Sequence, residues 1–396
     1  SGEMMLSIAG LDSAGAADAP LVMDVVTVGR ASEGTFTLMD GNYVTADGEH
    51  AFVSGAYLYR LAEARDGGGW ALSALSETGE TVWQPSAPLY NSYGQALLAM
   101  NGPASLRNRG SSQDFRSLAW DDETAGQDPG SPLWIQMGTE QLTSSEEQST
   151  TGAALESSLW EMEIGADLTL NNSTAGLLVG GLMFSYGTGS TAVTSTLGDG
   201  SIETSGLGLS LAGTWYDARR FYVDGQVTMT SYTSDLTADR FGTLIEDNSG
   251  TGFALSMEAG QEFDLGTGMT VVPQAQLSFS SVGFDDFEGE RYGEQVTFED
   301  AVSQQLRLGL EFGAQEQGAN GLYGIVNLYH EFGAGSEVDV AGTSLTTEGE
   351  SWAVGAGLGG SYALTERVDL FGEAAYATGL SNAGDTSALS ANAGIK

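Results

Sequence analysis

The 396-residue chain contains no cysteine, so neither a disulfide nor a thiolate nucleophile nor a zinc–thiolate site can be built from it. Two histidines, His50 and His330, leave little material for a Ser-His-Asp site. No metal or cofactor is expected, and His330, inside an alternating segment, reads as structural. Lysine and arginine together number 13 against 53 acidic residues, a net charge of −40. A nucleic-acid partner is excluded on that balance, because phosphate binding needs clustered cations, and so is docking to anionic lipid through basic patches. The acidity reads as a solvated, self-repelling surface. The runs Asp121-Asp122-Glu123 and Asp285-Asp286-Phe287-Glu288 lack the spacing of an EF-hand loop. No apolar run approaches the roughly 18–20 residues of a membrane helix. Ser1-Gly2-Glu3 is not the basic start of a signal peptide, so the chain reads as a processed or excised segment.

Alternation is what the sequence has in abundance. From Trp160 to Leu170 every second residue is apolar (Trp160, Met162, Ile164, Ala166, Leu168, Leu170), with Glu161, Glu163, Gly165, Asp167 and Thr169 between. Successive strand side chains point to opposite faces, so one face suits lipid and the other water. The segment matches a tilted transmembrane strand of about 9–11 residues. Similar rows recur at Leu207–Trp215, Phe221–Met229, Phe253–Met257, Val271–Phe279, Leu306–Phe312 and Trp352–Tyr362. With further alternating stretches they predict about twelve strands, an even number as in outer-membrane barrels.

Short connections (Asn171–Ser173, Asp217–Arg220, Leu265–Gly268, Gln317–Asn320, Thr365–Glu366) alternate strictly with long ones such as Thr188–Gly200, Leu236–Gly250 and Val282–Val302. Short periplasmic turns and long external loops are the barrel arrangement, with both barrel ends in the periplasm. Aromatics near strand ends (Trp134, Trp160, Trp215, Tyr216, Phe221, Tyr222, Trp352, Tyr362) are read as interfacial girdles.

Ahead of the barrel, residues 1–84 read as a soluble module of short strands with turns, among them Gly34–Leu38, Ala56–Leu61 and Trp70–Leu72. Residues 85–110 hold a predicted helix. Leu89, Tyr93, Ala96, Leu97 and Met100 recur at three and four, Ser86 is a candidate N-cap, and Asn101-Gly102-Pro103 is a stop. Residues 111–130 read as an acidic linker and residues 131–396 as the barrel. The helix face carries Asn91, Ser92, Gln95, Arg107 and Arg109, too polar for lipid. Inward rows are small (Gly206, Gly208, Ser210, Gly355, Gly357, Gly359), which leaves lumen space for it. The pore helix is represented by Tyr90, Tyr93, Leu97, Arg107 and Arg109. Its two arginines are expected to meet inward carboxylates, with Glu163, Asp224, Glu258, Glu311, Glu331 and Glu373 as candidates. The alternative is that they complement the dipole at the helix C-terminus.

Three segments in order carry a resemblance. Gly55–Leu61 with Trp70–Leu72 resembles the pertactin-type autochaperone region that ends a parallel β-helix. Pro88–Leu98 with Leu106–Arg109 resembles a linker helix that threads a barrel. Leu322–Phe332, Leu358–Tyr362 and Ala393–Ile395 resemble the end of the autotransporter β-domain. Together they cover nearly the whole chain and are similar to the autotransporters of Gram-negative bacteria, type V secretion. One departure is the final residue: family members normally end on an aromatic, and this sequence ends on Lys396.

The resemblance implies an all-β fold with one helix, a twelve-stranded outer-membrane barrel with that helix in its pore, and a β-helix-like module before it. It implies a translocator that carries its own N-terminal passenger to the cell surface. The assembly machinery of outer-membrane barrels, outer-membrane lipid and lipopolysaccharide become its partners, and the barrel is a monomer. Phe36, Tyr57, Tyr59, Leu61, Trp70 and Leu72 become the autochaperone core, which nucleates folding outside. The rival readings are a passive porin, a surface adhesin anchored by the barrel, and an enzyme. For the enzyme, the resemblance offers self-cleavage at Asn91 or Asn101 with a lumen carboxylate such as Glu258, and neither asparagine matches the paired Asn motif of self-cleaving members.

Overall fold

The computed structural model describes residues 3–8, 20–28, 34–64, 69–120, 133–266, 268–314, 321–333, 335–365, 368–381 and 386–396. The turns expected at 317–320 and 366, and the acidic run 121–123, lie outside them. Twelve antiparallel strands close a barrel. Closure is made by Ser387–Ile395, which pairs back on Leu133–Ser144 with Ile395 opposite Ile135. The period-two rows account for the wall. Ile164, Leu168 and Leu170 are exposed on the outer face while Asp167 between them is fully buried inside. Leu207, Leu209, Leu211, Met229, Met257, Leu277, Leu308 and Leu358 continue the exposed apolar belt.

The strands outrun the membrane. Ala154–Ser173 and Gly242–Gln261 each have 20 residues, where about 9–11 suffice to cross. Most residues expected in the long loops 188–200 and 236–250 therefore lie in strands, and the connections shrink to 195–199 and 239–241. Along Gly176–Thr194 the reason is visible. The outward row changes from Leu182, Phe184, Tyr186 to Thr188, Ser190, Ala192. The inward row ends on buried Thr191 and Val193. Beyond the lipid, the ladder continues with its outward row turned polar and its inward row still buried.

Three aromatics expected in the girdles face inward instead. Trp134, Tyr216 and Tyr222 are buried, each with its polar tip satisfied. The Trp134 indole donates to Asp167 (2.8 Å), Tyr216 to the Ser112 carbonyl (3.3 Å) and Tyr222 to Glu258 (2.6 Å). Trp160, Trp352 and Tyr362 do lie on the outer face.

Residues before the barrel form a parallel pair, Glu3–Leu6 with Thr35–Leu38. Beside it stands a five-stranded sheet in the order Val22–Thr27, Gly69–Ser73, Tyr57–Glu63, His50–Ser54, Tyr43–Val44. Leu38, Phe52, Tyr59, Leu72 and Ala74 are its core, with Tyr57 and Leu61 packed against them. Phe36 meets Trp70 at 5.7 Å between ring centroids. A second patch, Tyr43, Ala51, Val53 and Leu58, packs on Tyr292 and Phe241 from the barrel's external connections. The module thus sits on the outer mouth.

Candidate functional site

The segment running from the module into the barrel is the feature that the wall surrounds. Helix α1 spans Ala87–Met100, with a proline in its first turn. Ser86 precedes it but makes no side-chain cap. After Asn101 the chain runs extended to a single 3₁₀ turn, Leu106–Asn108. A second helix, α2, follows at Ser112–Trp120. Sequence reading took that stretch as linker. Phe115, Leu118 and Ala119 at three- and four-residue spacing, behind Asp114 in the first turn, were the signal that identifies it. Lys396, beside the barrel closure, donates to Asp114 at 2.7 Å, so α2 lies at the end where the strands begin and finish.

The outer half of this cord is dry. Leu89, Tyr90, Tyr93, Ala96 and Leu97 are buried against Val193, Ile202, Leu236, Val282, Val338 and Leu345. Val338 and Leu345 belong to a hairpin, Gly335–Val340 with Thr343–Glu348, that folds over the helix. The fit is tight at Gly94, where a Cβ would stand 2.5 Å from the Cβ of Ser336. Tyr93 lies 4.3 Å from Phe284 and 5.7 Å from Phe298 between ring centroids. Several polar groups on and just before α1 are matched by the wall and its external connections. Asn91 donates to Thr347 (2.9 Å) and accepts from Ser149 (2.8 Å) and Thr151 (3.1 Å). The Tyr90 hydroxyl and the Gln84 amide both donate to Glu294, each at 3.0 Å.

The inner half is salted. Arg109 lies 3.2 Å from Asp167 and 3.1 Å from Asp224, all three buried, and also donates to Thr214. Arg107 pairs with Glu311 at 3.4 Å and lies 3.7 Å over the ring of Tyr323. Arg116 on α2 reaches Glu311 at 3.3 Å and Glu262. Leu106, Phe115 and Leu118 pack around these ions with Leu177, Val179, Tyr216, Tyr222 and Val272. Between the two halves a polar space of about 530 Å³ flanks residues 98–108.

The six inward carboxylates divide. Asp224 and Glu311 meet the arginines of the cord. Glu258 pairs with a wall arginine, Arg307, at 2.8 Å, and accepts the Leu106 backbone N–H at 3.2 Å. Glu163 accepts from Gln136 (3.0 Å) and Glu373 from Tyr323 (2.5 Å), both facing the polar space. Glu331 stays at the rim, bonded to Ser303 and Gln304. Asp167, Glu262, Arg116 and Arg307 were not among the candidates. Asp167 and Arg307 were readable as inward-row residues, and Arg116 was hidden by the linker reading. In the turn after Tyr216, hydrogen bonds from Arg219 hold the Asp217 carboxyl below the usual carboxylate range. Among the described residues no group of histidines and carboxylates is spaced to hold a metal ion.

A barrel whose closed lumen is threaded by its own N-terminal segment is matched by comparison with known proteins. The pattern of the autotransporter β-domain fits residues 133–375. The chain belongs to the autotransporter family. It is 33% identical over 400 residues to the adhesin BmaC autotransporter of Brucella suis, covering 94% of this chain and 12% of that protein. This chain therefore spans about an eighth of that relative's length. The transport unit of the Escherichia coli autotransporter AIDA-I superposes with a TM-score of 0.59 at 15% identity, over 74% of this chain and 99% of that one. The translocator domain of NalP from Neisseria meningitidis gives 0.54 at 12% identity, over 77% and 98%. The barrel is an autotransporter β-domain of a Gram-negative outer membrane.

Proposed function

We propose that this autotransporter anchors an adhesin-like passenger, uncleaved, with residues 85–120 as a fixed plug and residues 1–84 as the folding nucleus at the surface. The observation that carries the reading is the set of cord arginines, Arg107, Arg109 and Arg116, each paired with carboxylates of the wall. A passive porin gains nothing from such a clamp. Tyr59 and Leu72, with Phe36, Tyr57, Leu61 and Trp70 around them, form a compact apolar nucleus. A threaded chain that buries such surface outside cannot easily slide back. Barrel-assembly machinery and lipopolysaccharide are the proposed further partners.

The adhesin assignment follows the BmaC likeness. No self-cleavage is part of this proposal. Both amides that could serve, Asn91 and Asn101, are engaged in hydrogen bonds at every polar atom, and Glu258 is occupied by Arg307 and Tyr222. The test is planar-bilayer conductance of the intact chain against one lacking residues 85–120, with the mass of the mature protein. A low current that rises on deletion, and an uncleaved mass, are expected. A steady large current from the intact chain would sink the plug, and a barrel mass without residues 1–84 would sink the anchor.

A further inference from the structure

We infer that Asn101 and the notch formed around Gly252 are the register key of the cord: the pair that sets where the translocating chain stops. This rests on the translocator reading and adds to it a positioning residue. Asn101 ends α1, and its side chain is buried against the wall at the outer edge of the polar space. Its amide nitrogen stands 2.8 Å from Ser280 Oγ, 3.1 Å from the Phe253 carbonyl and 3.2 Å from the Ser281 carbonyl. Its amide oxygen accepts from the Tyr232 hydroxyl at 3.1 Å, and its own carbonyl accepts from Ser280 at 3.1 Å. The seat exists because residue 252 is glycine. A Cβ there would lie 2.3 Å from the Asn101 amide oxygen.

The other contacts of the cord do not define position in this way. Apolar packing of α1 is non-directional, and the close fit of Gly94 is to Ser336 on the external hairpin. The inner arginines are long, and the carboxylates around them (Asp167, Asp224, Glu258, Glu262, Glu311) offer neighbouring partners. Asn91 is held by Ser149, Thr151 and Thr347, which stand on external connections. Asn101 alone is short, buried and held by three wall strands: Phe221–Ala238, Gly242–Gln261 and Met269–Phe284. Displaced from its notch, the amide gives up its wall partners together.

The chain has no cysteine of its own, so a disulfide can read the register in the intact outer-membrane protein. In one parent, cysteines replace Met100 and Gly189. The Cβ of residue 189 would stand 3.4 Å from Met100 Cγ, the place a cysteine sulfur would occupy. In a second parent they replace Met100 and Gly187, two wall residues, about 6.7 Å, further inward. The first pair is expected to cross-link and the second not. Adding Asn101→Ala or Gly252→Ala lowers the 100–189 yield by about five-fold or more and brings up the 100–187 product, a transfer that general loosening would not produce. Gly213→Ala, where a Cβ meets nothing within 4 Å, leaves both yields as they were. Asn101→Ala leaves the wall untouched, so it decides the matter even where Gly252→Ala does not fold. An unchanged 100–189 yield in Asn101→Ala overturns the key. External protease separates this from the reading beneath it: a module shielded from digestion in the parent overturns the translocator, whereas an accessible module with unchanged cross-linking overturns the key alone.

Discussion

The two ends of the cord are held by opposite physics. Around α1 the wall is apolar, the contacts are van der Waals, and only a few matched polar atoms interrupt them. Around α2 the wall supplies carboxylates as well as apolar side chains, and arginines of the cord answer those carboxylates inside the packed cluster. The outer collar lies beyond the lipid, where strand extensions carry a polar outer row and close over a helix. The inner end lies where the wall's outer face is committed to lipid, and there buried ion pairs are added to apolar packing.

The comparison can be broken at either end. Arg109→Ala leaves Asp167 and Asp224 buried without a cation, and removing one partner of a buried ion cluster costs about 3–5 kcal/mol. Urea unfolding of the detergent-solubilised barrel, followed by the loss of heat-modifiable migration, is expected to show that loss. High salt should do far less than the mutation, because buried pairs are poorly screened. An Arg109→Ala protein as stable as the parent would mean that the inner end is not held by charge. Leu97→Ala attacks the collar. It removes a fully buried side chain, at a cost of about 3 kcal/mol if the cavity does not collapse. This loss is expected to be insensitive to pH and salt, and to raise bilayer conductance by loosening the outer seal. A Leu97→Ala effect that followed ionic strength would show the two ends to be alike after all.

How much of this could be read without coordinates differs between wall and lumen. The wall was legible because a bilayer imposes one rule on every strand, and Leu207, Leu209 and Leu211 obey it as plainly as Ile164 and Leu168. The external extensions were not, because above the lipid polar residues face outward, and Thr188 to Thr194 then read as loop. Inside the lumen, Arg107 and Arg109 were separable from the helix and assigned inward carboxylates as partners, but which ones could not be known. Strand registers decide that Arg109 lies between Asp167 and Asp224, and the registers follow from details such as the irregularity at Leu178/Val179. The inward turn of Trp134, Tyr216 and Tyr222 was illegible for a related reason. An aromatic at a strand end suits either face, and only the polar partner on the inside decides.

The module gives the comparison a third case, in which neither lipid nor a threaded cord constrains the core. Tyr59 is fully buried there, and its hydroxyl donates to the Pro20 carbonyl at 3.2 Å. Burial, with Tyr57 beside it, pushes that hydroxyl from its ordinary value near 10 up to about 12. The unfolded module loses this proton near pH 10 and the folded one keeps it to about 12, so the unfolded state is favoured progressively across that interval. The contribution of Tyr59 is therefore complete below pH 10 and declines between pH 10 and 12, in the direction linkage requires. Tyrosinate absorbance and protease sensitivity of residues 1–84 should rise together in that window and be flatter in Tyr59→Phe, which retains the ring and loses the titration. If Tyr59→Phe loosens over the same interval to the same extent, the alkaline response does not belong to the module's own core.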